Sequence, residues 1–100
     1  MKVTWSPLAL ERAAEAAAYI AKDDPASARR WVDSLFDLAA GLSTFPERGR
    51  VVPGYGRGPY REVFHGRYRV IYRIAPKSVV VLTVRHGRRL LDPAELGETP

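Results

Sequence analysis

Arginine and histidine are the reactive side chains concentrated in the second half of this 100-residue chain. Arg61, Arg69 and Arg73 fall on the stretch from Tyr60 to Ile74, and Arg85, His86, Arg88 and Arg89 form a second group. Cutting a phosphodiester through a neighbouring 2′-hydroxyl needs a base, an acid for the leaving oxygen, and a cation for the phosphorane charge. Arginine supplies only the last of these, because it stays protonated. The acid/base groups within reach are His65, His86, Glu62 and several tyrosines. His65 stands at a hairpin end and reads as a turn or partner-pairing residue. His86 directly follows a strand and is the candidate for proton transfer. Two histidines without carboxylate or thiolate companions at ligand spacing do not make a metal set. No Ser/His/Asp arrangement stands out, and neither metal nor cofactor is expected.

The charge around these residues is uneven. Residues 1–45 carry five basic and six acidic side chains, residues 46–89 eleven and two, and residues 90–100 none and three. Arginine, suited to bidentate pairing with carboxylate or phosphate, dominates the basic set. A solvated surface would explain such a bias; a patch facing nucleic acid or an acidic protein segment explains it better.

The elements that must position these groups follow from periodicity. Tyr60–His65 and Tyr68–Ile74 read as two strands folded back at Gly66, rich in aromatic and β-branched residues. Side chains alternate along a strand, so Tyr68, Val70, Tyr72 and Ile74 share one face, and Arg69, Ile71 and Arg73 the other. On the first run Arg61, Val63 and His65 oppose Glu62 and Phe64. An arginine-bearing face is costly to bury and is expected to meet solvent or an anionic partner. Val79–Arg85 is a third strand, apolar enough to lie inside the sheet. Residues 1–5 alternate as a further strand, at an edge or in the centre.

Between these lie two helices. Ser6-Pro7 and Asp24-Pro25 each offer an N-cap followed by proline at the first helical position. Leu10, Ala13, Ala17 and Ile20 recur at helical spacing in the first helix. Ala28, Trp31, Val32, Leu35, Leu38, Ala39 and Leu42 do so in the second. The short break predicts an antiparallel hairpin covering the sheet. One core is expected to hold Trp31, Leu35, Leu38, Val70, Tyr72, Val80 and Leu82. Residues 47–59 read as a loop whose glycines at 54, 56 and 58 lack the Gly-Lys-Ser/Thr ending of a phosphate cradle. Without cysteine the chain has no disulfides or thiolate metal sites, and a reducing cytoplasm suits it. No signal peptide or run of about 20 apolar residues is found, so no membrane segment is expected. The fold class predicted is α+β, in the order β-α-α-β-β-β: a single domain over 1–100 with a tail from 90, its helix hairpin on one face of a small, mostly antiparallel sheet.

This order, with Phe45-Pro46-x-x-Gly49-Arg50, Tyr60-Arg61-Glu62, Gly66-Arg67-Tyr68-Arg69-Val70-Ile71-Tyr72-Arg73 and Arg85-His86-Gly87-Arg88-Arg89, resembles the RelE/ParE superfamily of type II toxins over residues 2–90. The resemblance implies a bacterial or archaeal toxin neutralised by a cognate antitoxin, ParD-like with an acidic C-terminal segment, in a hetero-oligomer. RelE-like members cut mRNA on the ribosome, and ParE-like members inhibit DNA gyrase. Arg69 matches the RelE-like arginine, and Arg88 or Arg89 could stand for the later one. The RelE-like C-terminal tyrosine or histidine and lysine-rich segment are absent: Leu90, Leu91, Asp92 and Pro93 follow Arg89. That departure favours the ParE-like branch and a non-enzymatic action. A RelE-like enzyme would use Arg61, Arg69, Arg73 and His86. A ParE-like toxin would meet its partners through Arg61, Arg69, Arg73, Arg85, His86, Arg88 and Arg89. A relative that only binds its antitoxin is the third alternative.

Overall fold

The computed structural model describes residues 1–53, 59–87 and 93–96. Arg57, Arg88, Arg89 and the glycines at 54, 56 and 58 lie outside them. Strand β1 (Lys2–Trp5) leads into the helix hairpin α1 (Pro7–Ala21) and α2 (Pro25–Gly41). A 3₁₀ turn (Pro46–Arg48), a two-residue strand β2 (Arg50–Val51), and strands β3 (Tyr60–His65), β4 (Tyr68–Ile74) and β5 (Ser78–His86) follow, then a short helix α3 (Pro93–Leu96). The sheet order is β1-β5-β4-β3-β2, with β1 parallel to β5 and the other pairs antiparallel. The predicted order therefore holds, with β2 and α3 added, and β1 takes the edge.

Both long helices start as their sequences dictate. The Ser6 hydroxyl accepts from the Ala9 N–H at 3.0 Å and donates to the Leu82 carbonyl at 2.9 Å. One side chain thus caps α1 and ties it to β5. Asp24 accepts from the Ala26 N–H and the Ser27 hydroxyl, and the Ser27 bond holds its carboxyl below the usual range. The β3–β4 turn is Gly66-Arg67, between the paired His65 and Tyr68. Gly66 has φ 60° and Arg67 does not share its positive φ, the pattern of a type II′ turn that matches strand twist.

The helices cover one face of the sheet. Ala9, Ala13, Leu35, Ala39, Val70, Val81 and Val84 form the buried centre there, with Trp31, Leu38, Val63 and Tyr68 packed around it. The stripe of α1 differs from the one expected. Ala9, Ala13 and Ala16 face inward, while Leu10 is exposed. Alanine lets the helix axis approach β5 closely, and a leucine on that face would hold it off.

The single core expected from sequence is in fact divided. Val80 and Leu82 belong to a second cluster on the opposite face, with Val52, Ile71 and Leu96. Register shows the division: Ile71 pairs with Thr83 and Tyr72 with Val81, so a β-bulge at Leu82 breaks the alternation and turns Val84 to the helix face while Val80 and Leu82 stay on the other. Both faces of β5 are therefore covered, which explains its unbroken apolar run.

Tyr72 and Leu42 close the helix side at the far end of the sheet with Val79. The buried Tyr72 hydroxyl donates to the Pro46 carbonyl at 2.7 Å and accepts from the Gly49 N–H at 2.8 Å. A Cβ on Gly49 would lie 2.6 Å from the Glu62 carbonyl oxygen and 2.7 Å from the Tyr72 hydroxyl, so only glycine fits. This is the physical content of the Phe45-Pro46-x-x-Gly49 pattern.

Leu35→Ala is expected to cost about 2–5 kcal/mol in chemical denaturation, since Leu35 is fully buried. Burial raises the Tyr72 pKa above its ordinary value. The neutral phenol is thus the form the fold favours. Its contribution is complete below pH ~10 and is lost as pH rises through the elevated folded value. Tyr72→Phe should be less stable at neutral pH, yet lose less stability than the parent between pH 9 and 11.

Candidate partner-binding site

The face of the sheet away from the helix hairpin carries the charged residues. Register places Phe64, Arg69 and Arg85 in one row across β3, β4 and β5, and Glu62, Ile71 and Thr83 in another on the same face. Glu62 is 2% exposed in the middle of this surface. One carboxylate oxygen accepts from Arg69 Nε at 2.9 Å and Nη2 at 2.7 Å, and the other from Arg50 Nε at 2.6 Å. A carboxylate removed from water is tolerable only when its charge is matched and its lone pairs are filled. Here two guanidinium groups do both. The Arg69 side chain is 13% exposed, whereas that of Arg50 is 64% exposed and also lies over the Phe64 ring, 5.8 Å from its centroid.

A second carboxylate repeats the device on β5. Buried Glu95 of α3 accepts from the Thr83 hydroxyl at 2.6 Å, meets Arg85, and lies 3.7 Å from Arg12 Nε. The arginine face expected to meet solvent or a foreign anion is thus largely neutralised from within. Its anionic partners are Glu62 and Glu95, and Leu96, beside Glu95, packs over the apolar strip formed with Ile71 and Leu82.

Histidines occupy the other face. His65, Tyr68 and His86 form a row beside α2. The Tyr68 ring packs edge-on against Trp31 and against His86, with centroids 5.1 and 5.4 Å apart. His65 Nε2 lies 2.9 Å from the Ser34 hydroxyl and 3.3 Å from the Trp31 carbonyl oxygen, so it is a strand-to-helix tether. Arg61 shares this face opposite Tyr72, and its Nη1 donates to the Gly49 carbonyl at 2.7 Å.

The structure therefore separates the residues singled out from sequence. Arg69, Arg73 and Arg85 belong to the outer face; Arg61 and His86 belong to the helix-facing side. Arg88 and Arg89 lie outside the described residues. Arg50, Phe64, Thr83 and Glu95 were not singled out as site residues. Arg50 had a signal, as the residue after Gly49 in the family-like pattern. Thr83 and Glu95 had none, because their pairing depends on a tail folding back on β5. Among the described residues no cluster of three metal-ligating side chains occurs, and no helix is long and apolar enough to cross a membrane.

A helix hairpin on one face of a mixed sheet is the architecture that the RelE/ParE resemblance implies. Residues 3–91 match the model of a family described as the ParE toxin of the type II toxin–antitoxin system, parDE, and the chain belongs to that family. It is 35% identical over 89 residues to a Sinorhizobium fredii protein named "Putative toxin Y4kP", covering 88% of this chain and 90% of that one. Among solved structures it resembles a chain of the chromosomal ParDE system from P. aeruginosa, with TM-score 0.71. That likeness, at 17% identity over 86% of this chain and 95% of the other, is one of fold. It also resembles a chain of the toxin–antitoxin complex RelBE2 from Mycobacterium tuberculosis, with TM-score 0.61 and 25% identity over 85% and 95% of the two chains.

The clamp makes an ordered prediction. Removing Glu62, or Arg69 from beneath it, takes the main counter-ion from a buried charge, and Glu62→Gln or Arg69→Ala should each cost about 3 kcal/mol. Arg50→Ala should cost no more than about 1 kcal/mol, because Arg50 is largely in water. Urea denaturation midpoints of the three variants would reveal any other order.

Proposed function

We propose that the chain is the toxin of a two-component pair, that it inhibits DNA gyrase by direct binding, and that a ParD-like antitoxin with an acidic C-terminal segment neutralises it. Family membership and the solved toxin–antitoxin relatives support the antitoxin partner. The observation that favours gyrase over RNA cleavage is the fate of Arg69. The arginine that matches the RelE-like one has two of its nitrogens on a buried internal carboxylate. His86, the one candidate for proton transfer, is on the opposite face. A phosphodiester held at Arg69 would have neither histidine beside it, and the one carboxylate it would meet, Glu62, is already bound by Arg69 and Arg50. The action proposed is recognition, in the cytoplasm where gyrase works.

In this reading Arg61, Arg73, Arg88 and Arg89 contribute charge and bidentate contacts to partners, together with Arg50 and Arg67. His86→Ala and His65→Ala should leave growth inhibition nearly intact in folded protein. Expression should produce gyrase-linked DNA breaks with intact mRNA. The RelBE2 likeness keeps ribosome-dependent cleavage as the second reading. There, His86→Ala would lower cleavage by about 10²–10⁴-fold. Mapped mRNA cuts abolished by His86→Ala would replace the gyrase reading with that one. For the antitoxin, association should slow as salt rises from 0.05 to 0.5 M, since steering between exposed charges is screened over about 8–10 Å at 0.1–0.15 M. A rate indifferent to salt would count against an acidic segment.

A further inference from the structure

Strand β1 ends the sheet on one side and pairs only with β5, so among the described residues no strand lies beside its outer edge. The Ser6 N–H donates to the Val81 carbonyl, and backbone groups point alternately to the two sides of a strand. Lys2, Thr4 and Ser6 therefore turn their N–H and C=O toward β5, and Val3 and Trp5 turn theirs outward. Charge, proline and bulges are the usual means of blunting such an edge. Here the register is regular from Lys2 to Trp5, proline first appears at position 7, and Lys2 carries the strand's one charged side chain. The side chains of Val3 and Trp5 lie on the helix face, where the Trp5 and Phe36 rings meet with centroids 4.5 Å apart. Phe36 is 39% exposed beside this open edge.

We infer that the β1 edge docks a second copy of this chain, the two β1 strands pairing antiparallel about a two-fold axis at Thr4. In that register Val3 lies opposite Trp5 of the copy, and Trp5 opposite its Val3. Each pair exchanges two main-chain bonds, so the outward groups of both strands are all satisfied. A register centred on Val3 would need Met1, whose carbonyl already accepts from the Ser43 hydroxyl. One centred on Trp5 would need Pro7, which has no N–H. Charge selects this occupant. The chain is +5 overall, but residues 1–45, which form β1 and both long helices, carry five basic and six acidic side chains. Two copies therefore repel least on this side. The two Lys2 residues fall at opposite ends of the paired strands, about 13 Å apart along them. That exceeds the screening length of about 8–10 Å. An acidic segment would instead find its counter-charges among the arginines of residues 46–89. Thr4 meets Thr4 of the copy on the outer face, and Val3, Trp5 and Phe36 extend the contact on the helix side. Four strand residues and one aromatic pair make a small interface, so association depends on concentration. The inference is independent of what the chain inhibits.

The test is sedimentation and amide hydrogen exchange of the full chain from about 1 to 500 µM, a range in which mass action shifts a weak dimer. The mass should rise from that of one 11.2 kDa chain toward twice that value. Exchange at Val3 and Trp5 should slow at least ~10-fold over the same range, as newly formed hydrogen bonds require. Thr4→Lys and Thr4→Glu each place like charges on the axis and should each weaken self-association about fivefold. Mixing the two variants should restore it, because Lys meets Glu only where position 4 faces its own copy. A chain that keeps the single-chain mass throughout overturns the inference. A dimer that leaves exchange at Val3 and Trp5 unchanged, or that ignores both charges at position 4, uses another surface and overturns it equally. Protection of Val3 and Trp5 that appears only on adding the product of a neighbouring antitoxin reading frame assigns the edge to that partner and overturns the second copy. Should a Thr4 variant not fold, mass and exchange of the unmodified chain decide alone.

Discussion

A carboxylate buried in the middle of a sheet is the constraint on which much of this fold depends. Glu62 has no water to stabilise its charge, and its two oxygens are filled by Arg50 and Arg69 from the neighbouring strands β2 and β4. The clamp therefore crosses three strands and fixes their register with side chains as well as backbone. Its own backbone is equally constrained. The Glu62 carbonyl lies where any side chain on Gly49 would have to be, and Gly49 in turn donates to the buried Tyr72 hydroxyl. The loop leaving α2, the edge strand β2 and the hairpin β3–β4 thus meet around one residue. An apolar residue at 62 would remove a costly charge but would also take away the carboxylate that two Arg69 nitrogens bind.

The same logic explains why the sheet is covered on two sides by unequal layers. The hairpin α1–α2 is large and apolar, and it buries its face by ordinary packing. Among the described residues, Val52 and Leu96 of α3 cover part of the outer face. Glu95 anchors that small layer through Thr83 and Arg85, so a polar contact holds a hydrophobic one in place. The bulge at Leu82 keeps Thr83 on this face beside Leu82 and turns Val84 to the helix side. Without it, strict alternation would pair Leu82 with Ile71 and turn Thr83, which holds Glu95, toward the helices.

Local signals made most of the architecture legible in the sequence. Ser6-Pro7 and Asp24-Pro25 announce helix starts with a capping oxygen and a fixed φ, and both helices begin there. Gly66 marks a turn that needs positive φ, and the flanking alternation sets the faces of β3 and β4 correctly. What escaped is non-local. Period two along β5 cannot reveal a bulge, so Val80 and Leu82 were placed in the wrong layer. Leucine is a stronger hydrophobic mark than alanine, so Leu10 was given to a stripe that close packing assigns to Ala9, Ala13 and Ala16. The arginines were found by type, but their counter-ions were not, because Glu95 reaches Arg85 and Thr83 only after the tail folds back. Glu62 was visible on the same face as Arg69; its burial was not.

These internal pairings bear on how a strongly basic chain would act on a partner. Charge that is bound to a buried carboxylate contributes little to the local field and cannot be handed to a ligand without exposing that carboxylate. Arg69 is in that position, and Arg85 meets Glu95 in the same way. Arg50 differs, because its guanidinium holds Glu62 from the solvent side while remaining mostly exposed. Among the described residues, Arg50 and Arg67 are the more exposed arginines near this face, and Arg50 lies over the exposed Phe64 ring. Exposed charge of this kind acts on association rates over distances set by screening, whereas short-range contacts govern dissociation. Catalysis asks for the reverse arrangement, with the cation and the proton-transfer group converging on one point. In this fold the cations that converge do so on their own glutamates, and the histidines face the helices.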